Sequence, residues 1–263
     1  MASDPSNRQN NSALRRSAAT LLIWAVLSMR TLALDSSDLL FDLSFDDGLN
    51  AEFSRGNAQP VKLPTEIERR LVEGLFGKGY LFAGKGSLIE YAVPASGARV
   101  SQEMYDAKAN MFGDAGTISI WLKPLSNLHN MQHIFVRCEQ PVLIDINRTP
   151  WGQWTYNYAS KGGFYYDGTV HFNDWLHLVL TWRKGEARGY LNGNLSCTAL
   201  DTGVGPSALQ TFKVAWEGLT WMDFQKKEFE DDCVMDELQI FRRPLAAEEI
   251  RALFERGHVS AKF

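Results

Sequence analysis

The sequence predicts an all-β protein, a sandwich or barrel, with a single helix at its C-terminal end. Two observations carry this. Short runs of β-branched, aromatic and aliphatic residues recur along the chain, and clusters of Gly, Asn, Asp and Pro separate them. Helical periodicity is absent until residues 244–256, where Leu245, Ile250, Leu253 and Phe254 share one face and Glu248, Glu249, Arg251 and Glu255 the other. Pro244 opens this helix, and Gly257 reads as its end.

The first strand spans 39–45: Leu39, Phe41, Leu43 and Phe45 are apolar two apart, with Asp42 and Ser44 between them. Asp46-Asp47-Gly48 turns the chain, and residues 49–70 read as irregular. Runs at 79–82 and 87–93, joined by Ala83-Gly84-Lys85-Gly86, have the form of a hairpin. Residues 99–115 break the pattern and read as a loop or one short helix. The run 116–123 is apolar on both faces, as a strand in the middle of a sandwich must be, and Pro124 ends it. Further strands follow at 132–137, 142–147, 153–158, 163–166, 176–183, 186–191, 195–199, 211–216 and 233–241. Asn192-Gly193 suits a type I′ hairpin turn, whose two central residues need positive φ. No repeat and no second domain are visible.

The chain has 263 residues and a formal charge of −4. With 45% apolar and 22% charged residues it resembles an ordinary globular protein that can bury a full core. Its acidity argues against nucleic acid as a partner, because phosphates are met by a basic face. Cys138, Cys197 and Cys233 lack CxxC spacing, which argues against zinc. Their odd number leaves at least one thiol, and a Cys197–Cys233 bond stays open beside three buried thiols.

Residues 1–33 read as a signal peptide: a polar leader with Arg8, Arg15 and Arg16, an apolar run over 17–29, then Thr31-Leu32-Ala33 before the cleavage point. The apolar run is short for a membrane span, which takes about twenty residues. An uncleaved N-terminal anchor is the alternative, and the only route to a membrane. Cleavage after Ala33 removes four Arg and one Asp and takes the charge from −4 to −7. The expected location is secreted, periplasmic or cell surface, with residues 34–263 as one domain.

Five stretches in order identify the kind of sandwich. Leu43-Ser44-Phe45-Asp46-Asp47-Gly48 resembles the opening strand of laminin-G-like (concanavalin A-like) jelly rolls, and Tyr80-Leu81-Phe82-Ala83-Gly84 their second. Thr117-Ile118-Ser119-Ile120-Trp121-Leu122-Lys123-Pro124 resembles their T-I-S-x-W strand. His177-Leu178-Val179-Leu180-Thr181-Trp182 with Gly189-Tyr190-Leu191-Asn192-Gly193 resembles their central hairpin, and Met235-Asp236-Glu237-Leu238 through Pro244-Leu245-Ala246-Ala247-Glu248-Glu249-Ile250 their last strand and helix. The resemblance covers residues 39–256. It implies a two-sheet antiparallel jelly roll with a short C-terminal helix.

This fold hosts enzymes and binders alike, so function rests on the sites. Hydrolases that share the jelly roll place carboxylates as E-x-D-x-E or E-x-D-x-x-E on one strand, and no such motif is present. Glu228, Glu230, Asp231 and Asp232 have the wrong spacing and read as a solvated loop. No catalytic residue is therefore expected. The resemblance implies one structural calcium ion, with Asp46, the backbone of Gly48, and Asp236 as ligands; turn capping is the alternative for these carboxylates. Trp154, Tyr156 and Tyr158 alternate on one strand and so share a face, and Trp216 and Trp221 bracket Glu217-Gly218. Exposed, these rings would stack on sugars, with Asn157 and Asp223 holding hydroxyls; buried, they would be core. The reading is an exported non-catalytic module that binds carbohydrate. The alternatives are a structural or protein-interaction domain at the cell surface, and a divergent glycoside hydrolase.

Overall fold

The computed structural model describes residues 36–83, 86–94, 108–125, 133–138, 143–149, 153–158, 164–166, 172–200, 209–217 and 233–260. The segment read as a signal peptide, Trp221 and Asp223 lie outside these residues. A turn of 3-10 helix (Ser36–Asp38) leads into β1 (Leu39–Leu43). Then come β2 (Phe53–Ser54), β3 (Pro60–Lys62), helix α1 (Ile67–Arg70), β4 (Leu71–Glu73), β5 (Lys78–Phe82), β6 (Ile89–Ala92) and β7 (Ala115–Pro124). The middle of the chain forms β8 (His133–Cys138), β9 (Ile144–Arg148), β10 (Trp154–Tyr158) and β11 (Phe164–Tyr166). It ends with β12 (Leu176–Arg183), β13 (Glu186–Leu191), β14 (Asn194–Leu200), β15 (Thr211–Glu217), β16 (Cys233–Phe241) and helix α2 (Ala247–Ser260).

The strands form two antiparallel sheets. One has nine strands in the order β14-β13-β12-β7-β16-β1-β2, with β5 also on β16 and β4 on β5. The other has seven, in the order β11-β10-β9-β8-β15-β6-β3. This is the predicted jelly roll. β7 lies between β12 and β16, as its two apolar faces require. The β13–β14 turn has Asn192 at φ 50° and Gly193 at φ 74°, the positive values a type I′ hairpin needs.

Three expectations are corrected. First, residues 79–82 and 87–93 do not form a hairpin, because β5 belongs to the nine-stranded sheet and β6 to the seven-stranded one. The chain crosses between sheets there, and Arg70 and Ser87 hold the crossing: Arg70 Nη1 donates to Ser87 Oγ at 2.5 Å, and Ala83 N to the same oxygen at 3.2 Å. Second, the stretch 49–70 is not wholly irregular; it carries β2, β3 and α1, each too short to show a period. Third, α2 runs through Gly257 to Ser260. Gly257 is there for clearance, since a Cβ on it would lie 2.3 Å from Trp121 Cζ2. The three cysteines are thiols, the reading that stood beside a Cys197–Cys233 bond. Cys197 on β14 and Cys233 on β16 are four strands apart, about 19 Å, too far for a disulfide.

The facing sides of the sheets make the core. Phe41, Ile118, Ile120, Leu178, Leu180, Trp182, Leu238 and Ile240 meet Ile89, Tyr91, Val136, Ile144, Ile146, Phe212 and Val214. Phe41 sits edge-on to Tyr91 and Phe212, at 5.0 and 5.2 Å between centroids. The core rings with polar handles find partners: Tyr91 Oη donates to Leu49 O at 2.6 Å and Trp182 Nε1 to Phe112 O at 3.2 Å. α2 covers part of the nine-stranded sheet's outer side, where Phe254 stacks on Trp121 at 5.8 Å and Trp121 on His177 at 4.8 Å. His177 is completely buried, which lowers its pKa to about 3. No helix among the described residues is long and apolar enough to cross a membrane.

Candidate ligand-binding face

Trp154, Tyr156 and Tyr158 do share one face, and it is the inner one. All three are buried to 1% exposure or less. Trp154 packs on Phe135 at 5.7 Å, and Tyr158 on Trp182 at 6.2 Å. Tyr156 Oη donates to Tyr190 O at 2.8 Å and Tyr158 Oη to Gly113 O at 2.9 Å, so even their hydroxyls are committed to the fold. Trp182 and Tyr190, on the opposite sheet, are the partners that fix this orientation. These three side chains form core and offer no stacking platform.

Their strand neighbours Thr155 and Asn157 therefore point outward, and strand register builds a polar face around them. One row runs across six strands: Lys62 pairs with Glu90, Glu90 with Lys213, Lys213 with Arg137, Arg137 with Asp145, and Asp145 with Asn157. A second row runs Trp216, Ile134, Asn147, Thr155, Tyr165. Asp145 is the hub. Its Oδ1 accepts from the side-chain amides of Asn147, at 2.7 Å, and Asn157, and its Oδ2 lies 3.5 Å from Arg137 Nε.

Alternation explains the placement. Ile144 and Ile146 fill the core, so Asp145 and Asn147 face away from it. Yet Asp145 is only 1% exposed and Asn147 and Thr155 are buried too. Burying polar groups on an outward face costs free energy unless they are hydrogen-bonded. Thr155 Oγ1 is buried and makes no hydrogen bond, leaving a donor and an acceptor unused. Trp216 is half-buried on the same face, with Lys213 Nζ at 4.1 Å and Arg137 Cζ at 5.2 Å from its ring centroid. The face thus combines amides, a carboxylate, a hydroxyl, two cations and an indole. The two carboxylates of the first row, Glu90 and Asp145, are three strand spacings apart, about 14 Å. Glycosidase carboxylate pairs lie about 5–9 Å apart.

Of the residues predicted to bind, Trp216 and Asn157 stand on this face. Arg137, Asp145, Asn147, Thr155 and Lys213 were not singled out from the sequence. Alternation within 144–148 was the signal that could have found Asp145 and Asn147; the cross-strand register that joins them to Arg137 and Lys213 has no local trace.

Asp46, Gly48 and Asp236 come to a different corner. Asp46 Oδ1 accepts from Lys78 N at 2.6 Å. Asp236 Oδ2 accepts from Leu75 N at 2.7 Å and Phe76 N at 3.1 Å, and its Oδ1 from Glu237 N at 2.8 Å. Burial, the larger effect, and the nearby Glu237 push the Asp236 carboxyl up to about 7 despite these bonds. A calcium ligand needs oxygens turned to the ion. Here three N–H dipoles point their positive ends at Asp236, the contacts that the turn-capping alternative describes.

Comparison with known proteins agrees with the architecture. No curated protein matches the chain. Among solved structures, the binding domain of Paraclostridial mosquitocidal protein 1 is similar at a TM-score of 0.63 and 16% identity, over 83% of this chain and 52% of that one. The botulinum neurotoxin serotype G binding domain is similar at 0.60 and 14%, over 83% and 51%. The chain therefore spans about half the length of these toxin binding domains. Domain 4 of an extracellular arabinanase from Geobacillus stearothermophilus, in complex with arabinotriose, is similar at 0.55 and 19%, over 82% of this chain and 98% of that one. The family described as the concanavalin A-like lectin/glucanases superfamily matches residues 101–251, more than half of the sequence, and the chain belongs to it.

Proposed function

We propose that the protein is an exported, non-catalytic binding module whose ligand is a carbohydrate, held on the outer face of the seven-stranded sheet. The observation that carries this is the Asp145 hub with its two amides and guanidinium, beside the half-buried Trp216. Sugar hydroxyls need paired donors and acceptors, and a pyranose or furanose C–H face suits an indole. The wide separation of Glu90 and Asp145 supports a role without hydrolysis.

The similar structures support the coarser reading, a module for glycan or extracellular protein. Two are toxin binding domains, and the arabinanase domain is in complex with a trisaccharide. The polar rows and Trp216 favour the sugar. A glycan array spanning plant, algal and host oligosaccharides tests this. Binding that Trp216→Ala and Asn157→Ala abolish supports the reading; failure to bind any glycan sinks it in favour of a protein ligand. Release of sugar by the purified chain would revive a hydrolase.

A further inference from the structure

We propose that the groove between the β12–β13 hairpin and the corner entering α2 is a second ligand site, which takes the oxyanion end of an acidic ligand: a carboxylate, sulfate or phosphate group. It lies on the nine-stranded sheet and does not depend on the carbohydrate face. The groove has a volume of about 230 Å³, and its wall includes Arg183 of β12, Arg188 and Tyr190 of β13, and Arg243 and Leu245 of the corner.

Three guanidinium groups meet around it, each held by carboxylates. Glu186 Oε2 is 2.6 Å from Arg183 Nη2, and Glu186 Oε1 is 2.5 Å from Arg188 Nη2. Glu249 and Asp38 each approach Arg243 at 2.7 Å. The arginine is the outer member every time. Arg183, Arg188 and Arg243 are 63, 44 and 37% exposed, against 15% for Glu186, 10% for Glu249 and 18% for Asp38. The six charges cancel formally, yet the accessible rim is cationic.

Arg183 and Arg188 share one carboxylate, which leaves one positive charge on that trio. An incoming oxyanion completes an alternation of two cations and two anions. Glu186 holds both side chains in place, because Arg183 and Arg188 each turn Nε and Nη2 to it. Arg183 then keeps its Nη1 donors, and planar guanidinium donors match carboxylate and phosphate geometry. Fixing the side chains beforehand removes the entropy loss that flexible surface arginines suffer on binding. Beside the charged rim, the partly exposed Pro244 gives the wall apolar surface for the body of the ligand.

Chemical-shift mapping on the full chain tests the site, with inorganic phosphate, sulfate and acetate titrated in turn at an ionic strength held by chloride. The expected result is saturable shifts confined to amides of residues 181–190 and 243–246. Tightest binding of phosphate or sulfate identifies an esterified ligand, and tightest binding of acetate a carboxylate ligand. Arg183→Gln and Arg188→Gln should each weaken binding about tenfold, the loss of one charge-assisted hydrogen bond. Arg69→Gln, at an exposed cation on α1, should leave it unchanged. Shifts that never saturate, that spread over both sheets, or that persist at full affinity in both arginine variants overturn the proposal, and the wild-type map decides it even if a variant fails to fold.

Discussion

Asp46 and Asp236, from opposite ends of the chain, grip the same turn: Asp46 receives Lys78 N, and Asp236 receives Leu75 N and Phe76 N. Between them Gly74 N donates to Gly77 O at 3.0 Å. Both glycines are required by closeness, since a Cβ on Gly74 would meet Asp236 Oδ2 at 2.6 Å and one on Gly77 would meet Asp46 Oδ1 at 2.0 Å. Asp236→Ala strands three N–H donors and is predicted to cost at least about 2 kcal/mol. Asp46, half-buried, should cost less. Chelator should leave the thermal midpoint unchanged; a midpoint that rises with added calcium would show that an ion shares this corner after all.

Glu237 lies next to this corner with φ 50°. Burial first, then Asp42, push its carboxyl from 4.5 up to about 7; Glu52 and Asp46 add to the rise, and Arg256 opposes it. Between these values the unfolded chain carries the charged form and the folded protein the neutral acid. Stability from this group is therefore full below pH 4.5 and is lost as the pH climbs through 7. Glu237→Gln removes this group's share of the dependence. The variant's stability relative to wild type should be more favourable above pH 7 than below pH 4.5, by on the order of 2 kcal/mol. Equal differences at both ends would contradict the assignment.

Two tryptophan variants should part company. Trp154→Ala empties a core site and is predicted to cost about 3–5 kcal/mol, enough to unfold much of the protein. Trp216→Ala removes a half-buried ring and should cost far less while abolishing glycan binding. Chemical denaturation alongside the array separates the two effects. A well-folded Trp154→Ala protein that has lost only binding would return that ring to the ligand site.

Gly257→Ala should destabilise, although alanine is the better helix former by about 1 kcal/mol. The new methyl would overlap Trp121, whose ring packs against both His177 and Phe254. The predicted cost is about 1–3 kcal/mol. A rise in thermal midpoint would mean that α2 can move away from the sheet.

The order of the strands was legible because alternation is local. Trp121 between Ile120 and Leu122 announces a strand covered on both sides, and Asn192-Gly193 announces its turn. Which side of β10 faces the core was not legible. Trp154, Tyr156 and Tyr158 alternate with Thr155 and Asn157 in the same way whether the rings point in or out. The decision belongs to Trp182 and Tyr190 on the other sheet. The polar face was hidden for the same reason. Arg137, Asp145 and Lys213 are neighbours only through backbone pairing between strands, and α2 was misjudged by one turn because a glycine that ends a helix and a glycine that lets one approach a tryptophan look alike in sequence.

The pairing of β16 with β1, β5 and β7 also governs when the protein can exist. The first strand can pair at once with β2, but its other edge waits for β16, and β7 likewise waits with one edge bare. Such long-range closure makes folding slow and late. The newborn chain therefore presents open strand edges to chaperones, and the nine-stranded sheet is completed only once β16 has been made.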